Sequence, residues 1–331
     1  MKNHLPDTRL PNLKQVFLVL FFTFILTFSI GIIGALLGAR TGLFLLEFFI
    51  IFPALIFVIA KKYSFVELFR LKPVSKQVIG ISVIIGIAFS IVSDEVDRLI
   101  QILIPMPEIW KQAMETALKI QTSSDLIIII FSAVFMAATL EEMLFRGFVQ
   151  VSFENTFDVT KAIMAAAVIF AIVHLNPFWT IQYTLFGIIL GVMAWKSNSI
   201  IPSMIVHLIN NGLALIFMNS SPKTIDWYFY KDHVNFPIII VALILTVFGF
   251  KWFYKYCDKM MENNVKRSNK QTPKVRIGVL QSSDQVSFQC NTMFSLRDAN
   301  DRLLFTGAAD TLYTCLLYTS DAADELDGVD L

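Results

Sequence analysis

The sequence predicts an all-α, polytopic membrane protein with eight transmembrane helices and both termini in the cytoplasm. Composition points there first: the 331 residues are 56% hydrophobic and 16% charged, where a soluble domain carries about 25% charged residues. The 31 phenylalanines are more than a single water-soluble core of this length needs, and the mean hydropathy is +0.65. That surplus of apolar surface needs lipid to face. The third observation is repetition, because apolar runs of about 20 residues, long enough to cross a bilayer, recur between residues 15 and 254.

Taken in order, the runs are Gln15 to Gly38, Leu43 to Ala60 with Pro53 inside it, Val78 to Val92, and a fourth starting at Leu126. Ala162 to Leu175, Thr180 to Trp195, Ile200 to Met218 and Phe236 to Phe253 complete the eight. The first run is too long for the apolar part of a signal peptide and has no small-x-small cleavage site, so it reads as a retained span. Basic residues gather before the first span (Lys2, Arg9, Lys14), after the second (Lys61 to Lys76) and after the eighth (Lys251 to Arg276). The positive-inside rule then puts both termini in the cytoplasm, as an even number of spans requires.

The organisation follows. Residues 1–14 form a cytoplasmic segment, 15–254 the transmembrane domain, and 255–314 a basic juxtamembrane tail followed by a weakly structured segment. Residues 315–331 read like the translation of a sequencing adapter, and no function is assigned to them. The net charge of +1 excludes a general nucleic-acid binder that works by neutralising phosphates; the expected partners are membrane lipid and a peptide or protein substrate. Cys257, Cys290 and Cys315 are too few and too scattered for a disulfide framework or a cysteine-rich metal site.

An ionised side chain at the bilayer centre costs at least about 2.5–3.5 kcal/mol, so the residues that interrupt the apolar runs carry the information. They are Glu47, the Glu141-Glu142 pair with Arg146, His174, and His207 with Asn211. On an α-helix Glu142 and Arg146 are i and i+4, in the favourable order for an ion pair. Glu141 points about 100° away. One carboxylate is thereby held by the arginine while its neighbour is free for chemistry. Taken alone, the pair reads as a helix-end salt bridge, His174 as an interfacial histidine, and His207 with Asn211 as glue between helices. Depth changes the weighing. Glu141 precedes Asn155, and His174 follows Thr160, a candidate N-cap, by 14 residues each, which puts both about 21 Å from the shared turn. Glu47 is expected to make a helix contact or to reach outward, and Asp94, Glu95 and Asp97 to form a solvated face.

One glutamate and two histidines form the ligand set of some catalytic zinc sites. The same groups serve a metal-free mechanism in which Glu141 takes a proton from water that His174 orients, while His207 and Asn211 donate to the oxyanion. Either chemistry is hydrolytic, with amide hydrolysis the natural reaction. No His-Glu-x-x-His, Gly-x-Ser-x-Gly, Gly-x-Gly-Asp or glycine-rich phosphate loop occurs, which argues against zincin, serine and aspartyl intramembrane proteases and against nucleotide-driven pumps.

Three motifs, Glu141-Glu142-Met-Leu-Phe-Arg146, Phe170-Ala-Ile-Val-His174 and His207-Leu-Ile-Asn-Asn211, stand in order on separate spans. The set resembles the CPBP family of intramembrane proteases, the CAAX prenyl endopeptidase and bacteriocin-processing or immunity family also called ABI. The likeness covers about residues 65 to 218 and includes Leu68-Phe-Arg-Leu-Lys-Pro73. It implies an all-helical membrane endopeptidase in the cell membrane, with a cavity open toward the cytoplasm and substrate met at that face. By carry-over Glu141 is the general base, His174 assists it, His207 and Asn211 stabilise the oxyanion, and Glu142 and Arg146 support the first motif. If a metal is used, Glu141, His174 and His207 are its ligands and zinc is the candidate; otherwise there is no cofactor. The alternative from a different class is a non-catalytic bacteriocin-immunity or scaffold protein. A transporter is disfavoured because the two halves show no repeat and no paired broken helices.

Overall fold

Asn12 opens the first helix with a capping box: its side chain accepts from the Gln15 backbone N–H, and the Gln15 side chain accepts from the Asn12 backbone N–H, both at 3.0 Å. The computed structural model describes residues 10–271 and four short strands between residues 285 and 316. Helix α1 (Leu13–Leu37) ends at Gly38, whose φ of +103° is open to glycine and strained for other residues. The chain doubles back into α2 (Ala39–Phe49), and α3 (Phe52–Lys61) follows with Pro53 in its first turn. A proline has no N–H to give, so it starts a new helix where the sequence suggested one unbroken run. Gly34 and Gly42 touch backbone to backbone where α1 and α2 cross.

Ser64 caps the single turn α4 (Phe65–Leu68), and Ser75 caps the long α5 (Lys76–Leu103). Helix α6 (Glu108–Leu118) precedes α7 (Ser123–Glu154), which Thr122 opens with a capping box to Asp125. Asp158 caps α8 (Val159–Val173), two residues before the threonine the sequence suggested. Then come α9 (Thr180–Ser197), α10 (Ile201–Asn219) and, after a small hairpin of β1 (Phe229–Tyr230) and β2 (His233–Val234), α11 (Phe236–Gln271).

Every expected apolar run is helical. Among the described residues six helices are long and apolar enough to cross a membrane: 13–34, 39–61, 76–103, 123–154, 201–219 and 236–260. Helix α8, at 15 residues, is a shorter apolar helix, and α9 is not among the six. The all-α polytopic membrane fold is the architecture expected. Its outer faces are apolar, with Phe17, Phe21, Phe28, Ile56, Ile127 and Phe248 among many large exposed side chains; such faces suit lipid and not water.

The chain divides into two compact units, Met1–Met260 and Met261–Leu331. In the second, β3 (Gln285–Gln289) pairs antiparallel with β6 (Leu312–Leu316), and β4 (Phe294–Arg297) with β5 (Leu303–Gly307). The expected basic tail is helical through Gln271. Residues 272–284 and the stretch 317–331, which holds most of the adapter-like sequence, lie outside the described residues.

Helix α7 is the member on which the site is built. It packs against α2 on one side and α10 on the other, while α8 lies along α9 and α10 along α5. Most of α7 is wound as a π-helix, over Ile130–Glu141 and Met143–Val149, and not as the α-helix the sequence led us to expect. The i→i+5 register widens the helix, and π-helical turns are frequent at functional sites. The segment after α4 is clamped to it. A side chain at Gly147 would meet the Phe69 Cα at 2.8 Å, and Arg70 pairs with Glu154. Arg70 lies in the left-handed region at φ 50°, and its carbonyl accepts from the Ile200 N–H at 3.1 Å.

Candidate active site

The two adjacent glutamates of α7 have different surroundings. Glu142 is fully buried. Its Oε1 accepts from Arg146 at 2.6 Å and from the His207 ring nitrogen Nδ1 at 3.0 Å. Arg146 is buried too, its guanidinium 4.2 Å above the Phe170 ring, a cation–π contact that helps hold an otherwise desolvated charge. The i,i+4 pair expected from the sequence is therefore present, and the ring of the second motif backs it. Glu141 is 6% exposed, and its Oε2 is buried without a hydrogen-bond partner. The sequence expectation of one held and one free carboxylate agrees with this geometry.

The histidines converge on that free oxygen. His174 Nε2 lies 3.9 Å from Glu141 Oε2 and His207 Nε2 lies 3.8 Å from it. Both rings have their tautomer set from behind. His174 Nδ1 is 2.7 Å from the Phe170 carbonyl, which can only accept, so Nδ1 carries the proton. His207 Nδ1 donates to the Glu142 carboxylate in the same way. With Nδ1 engaged behind each ring, both Nε2 atoms face the point where Glu141 Oε2 lies. Phe170 also packs edge-on against His174 and His207 at ring separations of 4.7 and 6.1 Å. This is what the phenylalanine of the second motif contributes.

His174 sits where α8 stops. It is the C-cap, and Leu175 follows at φ 51°, a left-handed cap position usually filled by glycine. Asn176 then turns the chain, accepting from the Phe178 N–H at 3.1 Å. Asn211 reaches α7 by donating from Nδ2 to the Ala133 carbonyl at 2.9 Å, inside the π-helical stretch. All six candidate residues thus lie in one neighbourhood, but Asn211 spends one amide proton on the backbone.

Two cavities meet at Glu141, and Glu47, Glu141 and His174 line both. One, of about 540 Å³, runs between α1 and α2 and is walled by Leu20, Phe24, Phe28 and Ile50. The other, of about 420 Å³, runs toward the helix ends at Asp97, Leu118 and Met218. Glu47 therefore points inward beside Glu141, where the sequence left room for an outward reach. Asp94 and Asp97 line a cavity and do not form a solvated face. These carboxylates, and the Gln150 and Glu154 side chains that brace α7 with Arg70 of the Leu68–Pro73 segment, escaped the motif reading. Their only sequence signal was polarity at the end of, or inside, an apolar run.

Among the described residues no group of three or more His, Cys, Asp and Glu is arranged to hold a metal ion. The donor chemistry of Glu141, His174 and His207 nevertheless fits one, with both tautomers fixed by partners behind the rings as in metal sites. A bound zinc would supply a Lewis acid and an acidified water.

The fold and site together define a multi-pass membrane protein with a glutamate–histidine–asparagine centre in which Glu141 and His207 are buried. Comparison by sequence agrees with the motifs: residues 123–213 match the family model Rce1-like, described as type II CAAX prenyl endopeptidase Rce1-like. The resemblance to the CPBP family is thus shown over the residues that carry all three motifs, and the family matched is one of proteases. No curated protein and no solved structure matches the chain.

Proposed function

We propose that this protein is an intramembrane endopeptidase that hydrolyses a peptide bond of a membrane-associated or membrane-delivered polypeptide, using water activated by Glu141. The carrying observation is the meeting of the unpartnered Glu141 oxygen with two imidazole Nε2 atoms, at 3.8 and 3.9 Å, beside a cavity. A water placed there gives one proton toward Glu141 and the other to the lone pair of His174. As its oxygen attacks the carbonyl carbon, Glu141 takes the proton and the carbonyl electrons move onto oxygen. His207, carrying a second proton on Nε2 that the Glu142 carboxylate behind it stabilises, donates to that oxyanion. The free amide proton of Asn211 is the second donor. Collapse breaks the C–N bond, and Glu141 passes its proton to the leaving amine.

Eight spans make up this reading, with α8 and α9 crossing beside the six longer helices and both termini in the cytoplasm. On that orientation the 420 Å³ cavity extends away from the cytoplasm, because Asp97, Leu118 and Met218 lie opposite the Lys61–Lys76 loop. The family resemblance implies a cytoplasmic opening instead. The loop charges decide our placement, since the termini and the loop after the second span carry most of the bilayer-flanking lysines and arginines.

The test is cleavage of a reporter polypeptide by the protein reconstituted in lipid. Glu141→Ala and His174→Ala are expected to abolish cleavage while leaving insertion intact. Full activity in Glu141→Ala ends the reading. A non-catalytic immunity or scaffold role would survive Glu141→Gln.

A further inference from the structure

We propose that the 540 Å³ cavity takes an extended, apolar segment of the substrate polypeptide, which enters from the lipid along α1 and is positioned by a backbone hydrogen bond to the Thr23 hydroxyl. The inference rests on the endopeptidase reading and adds the route and conformation in which the polypeptide reaches Glu141. Thr23, Thr27 and Gly31 all line the cavity. They stand at i, i+4 and i+8, so they make one track of small residues on a single face of α1. A side chain at Gly31 would meet nothing within 4 Å. A stripe of small residues alone would say little. The second observation is Thr23 itself, which is 7% exposed and whose Oγ1 is buried without a hydrogen-bond partner.

The other hydroxyls of α1 are satisfied within the helix. Thr27 donates to the Thr23 carbonyl at 2.9 Å, and Ser29 to the Ile25 carbonyl at 2.8 Å. Thr23 makes no such bond, although a helix offers a threonine the carbonyl four residues back. It lies near the middle of its span, residues 13–34, at a depth where no bulk water serves a polar group. A polypeptide unwound at that depth has the matching need, because its amides and carbonyls have lost their helical partners in hydrocarbon. Each supplies what the other lacks. Size points to the same conformation. Thr23 and Gly31 are about 12 Å apart along the helix, the length of about four extended residues. A helical segment, about 10–12 Å across with its side chains, would need roughly twice the cavity's volume over that length. Phe24, Phe28 and Ile32 line the cavity and are also exposed on the outer surface of α1, so the mouth opens sideways toward lipid. Glu141 and His174 line the same cavity, and the track therefore leads to the reacting atoms.

The experiment uses the full chain reconstituted in phosphatidylcholine vesicles. The probes are two fluorescent, lysine-flanked peptides with a core of about 20 leucines and alanines, long enough to span, one of them carrying Gly-Pro at its centre to ease unwinding. The Gly-Pro peptide is expected to bind more tightly than the uninterrupted one. Thr23→Val, which keeps the side-chain shape and removes the hydroxyl, should weaken that binding by about two- to tenfold, the worth of one neutral hydrogen bond, and Thr23→Ser should retain it. A photoreactive benzoylphenylalanine at Phe28, on the cavity, should capture the peptide several-fold better than one at Phe21, which is exposed on α1 but lines neither cavity. Unchanged binding by Thr23→Val overturns the proposal, as does equal capture at Phe28 and Phe21 or equal binding of the two peptides. Loss of the Phe28 signal to added oleic acid but not to excess unlabelled peptide assigns the cavity to an acyl chain and overturns it too. If the Thr23 variants do not fold, capture by the two photoreactive proteins decides alone. Binding does not require turnover, so full hydrolysis by Glu141→Ala would remove the protease reading and leave the peptide on α1. Absence of capture at Phe28 would remove this route and leave the protease reading intact.

Discussion

Glu142 and His207 meet at 3.0 Å, carboxylate oxygen to ring Nδ1, across the contact between α7 and α10. That bond ties the first and third motifs together. It turns Nε2 of the same ring toward Glu141, 3.8 Å away, so one glutamate orients the histidine that the other works beside. Adjacent residues of like chemistry thereby acquire different duties: Glu142 is held through Oε1 by Arg146 and His207, and Glu141 stands beside the cavity with an oxygen to use.

Glu141→Gln and Glu142→Gln should therefore fail in different ways. The first removes a proton acceptor and is expected to lower turnover by about 10²–10⁴ with little change in unfolding. The second strips the partner from Arg146, which is 2% exposed. Leaving a buried charge uncompensated costs about 3–5 kcal/mol. Chemical denaturation in detergent beside a cleavage assay separates the two.

Asn211→Ala should reduce kcat by about 10²–10³, the usual cost of one oxyanion donor, with a smaller effect on KM. An unchanged kcat would return Asn211 to a packing role at the Ala133 carbonyl.

Gly147→Ala tests the seating of the Phe69 segment on α7. The added methyl meets the Phe69 backbone at 2.8 Å, and backbone cannot swing aside as a side chain can. A loss of about 1–3 kcal/mol in stability is expected, read from the midpoint of denaturation.

Orientation can be read by labelling. Glu115 on α6 and Lys76 at the start of α5 lie at opposite ends of the bundle, and both are exposed. In a cysteine-free background, a membrane-impermeant maleimide added to intact cells should label Glu115→Cys and not Lys76→Cys. The reverse pattern would put the carboxylate-lined cavity on the cytoplasmic side.

Much of the site is legible in the amino-acid sequence. The three motifs name Glu141, Glu142, Arg146, His174, His207 and Asn211, and helical spacing alone pairs Glu142 with Arg146. The order of apolar runs likewise yields the helices, because hydrocarbon thickness sets the length of a span whatever its neighbours are. Spacing within one helix is local, and a local rule can be read along the chain.

What spacing cannot supply is what faces what across helices. That His207 bonds Glu142 rather than Glu141, that Glu47 turns inward and that Asp94 and Asp97 line a cavity all depend on how α2, α5 and α10 are rotated against α7. The π-helical winding of α7 is of the same kind, since Asn211 and the clamped Phe69–Arg70 segment meet it from elsewhere in the sequence. Burial is the physical reason: a carboxylate inside an apolar bundle takes whatever partner or cavity the packing leaves within reach, and that choice belongs to the assembled helices.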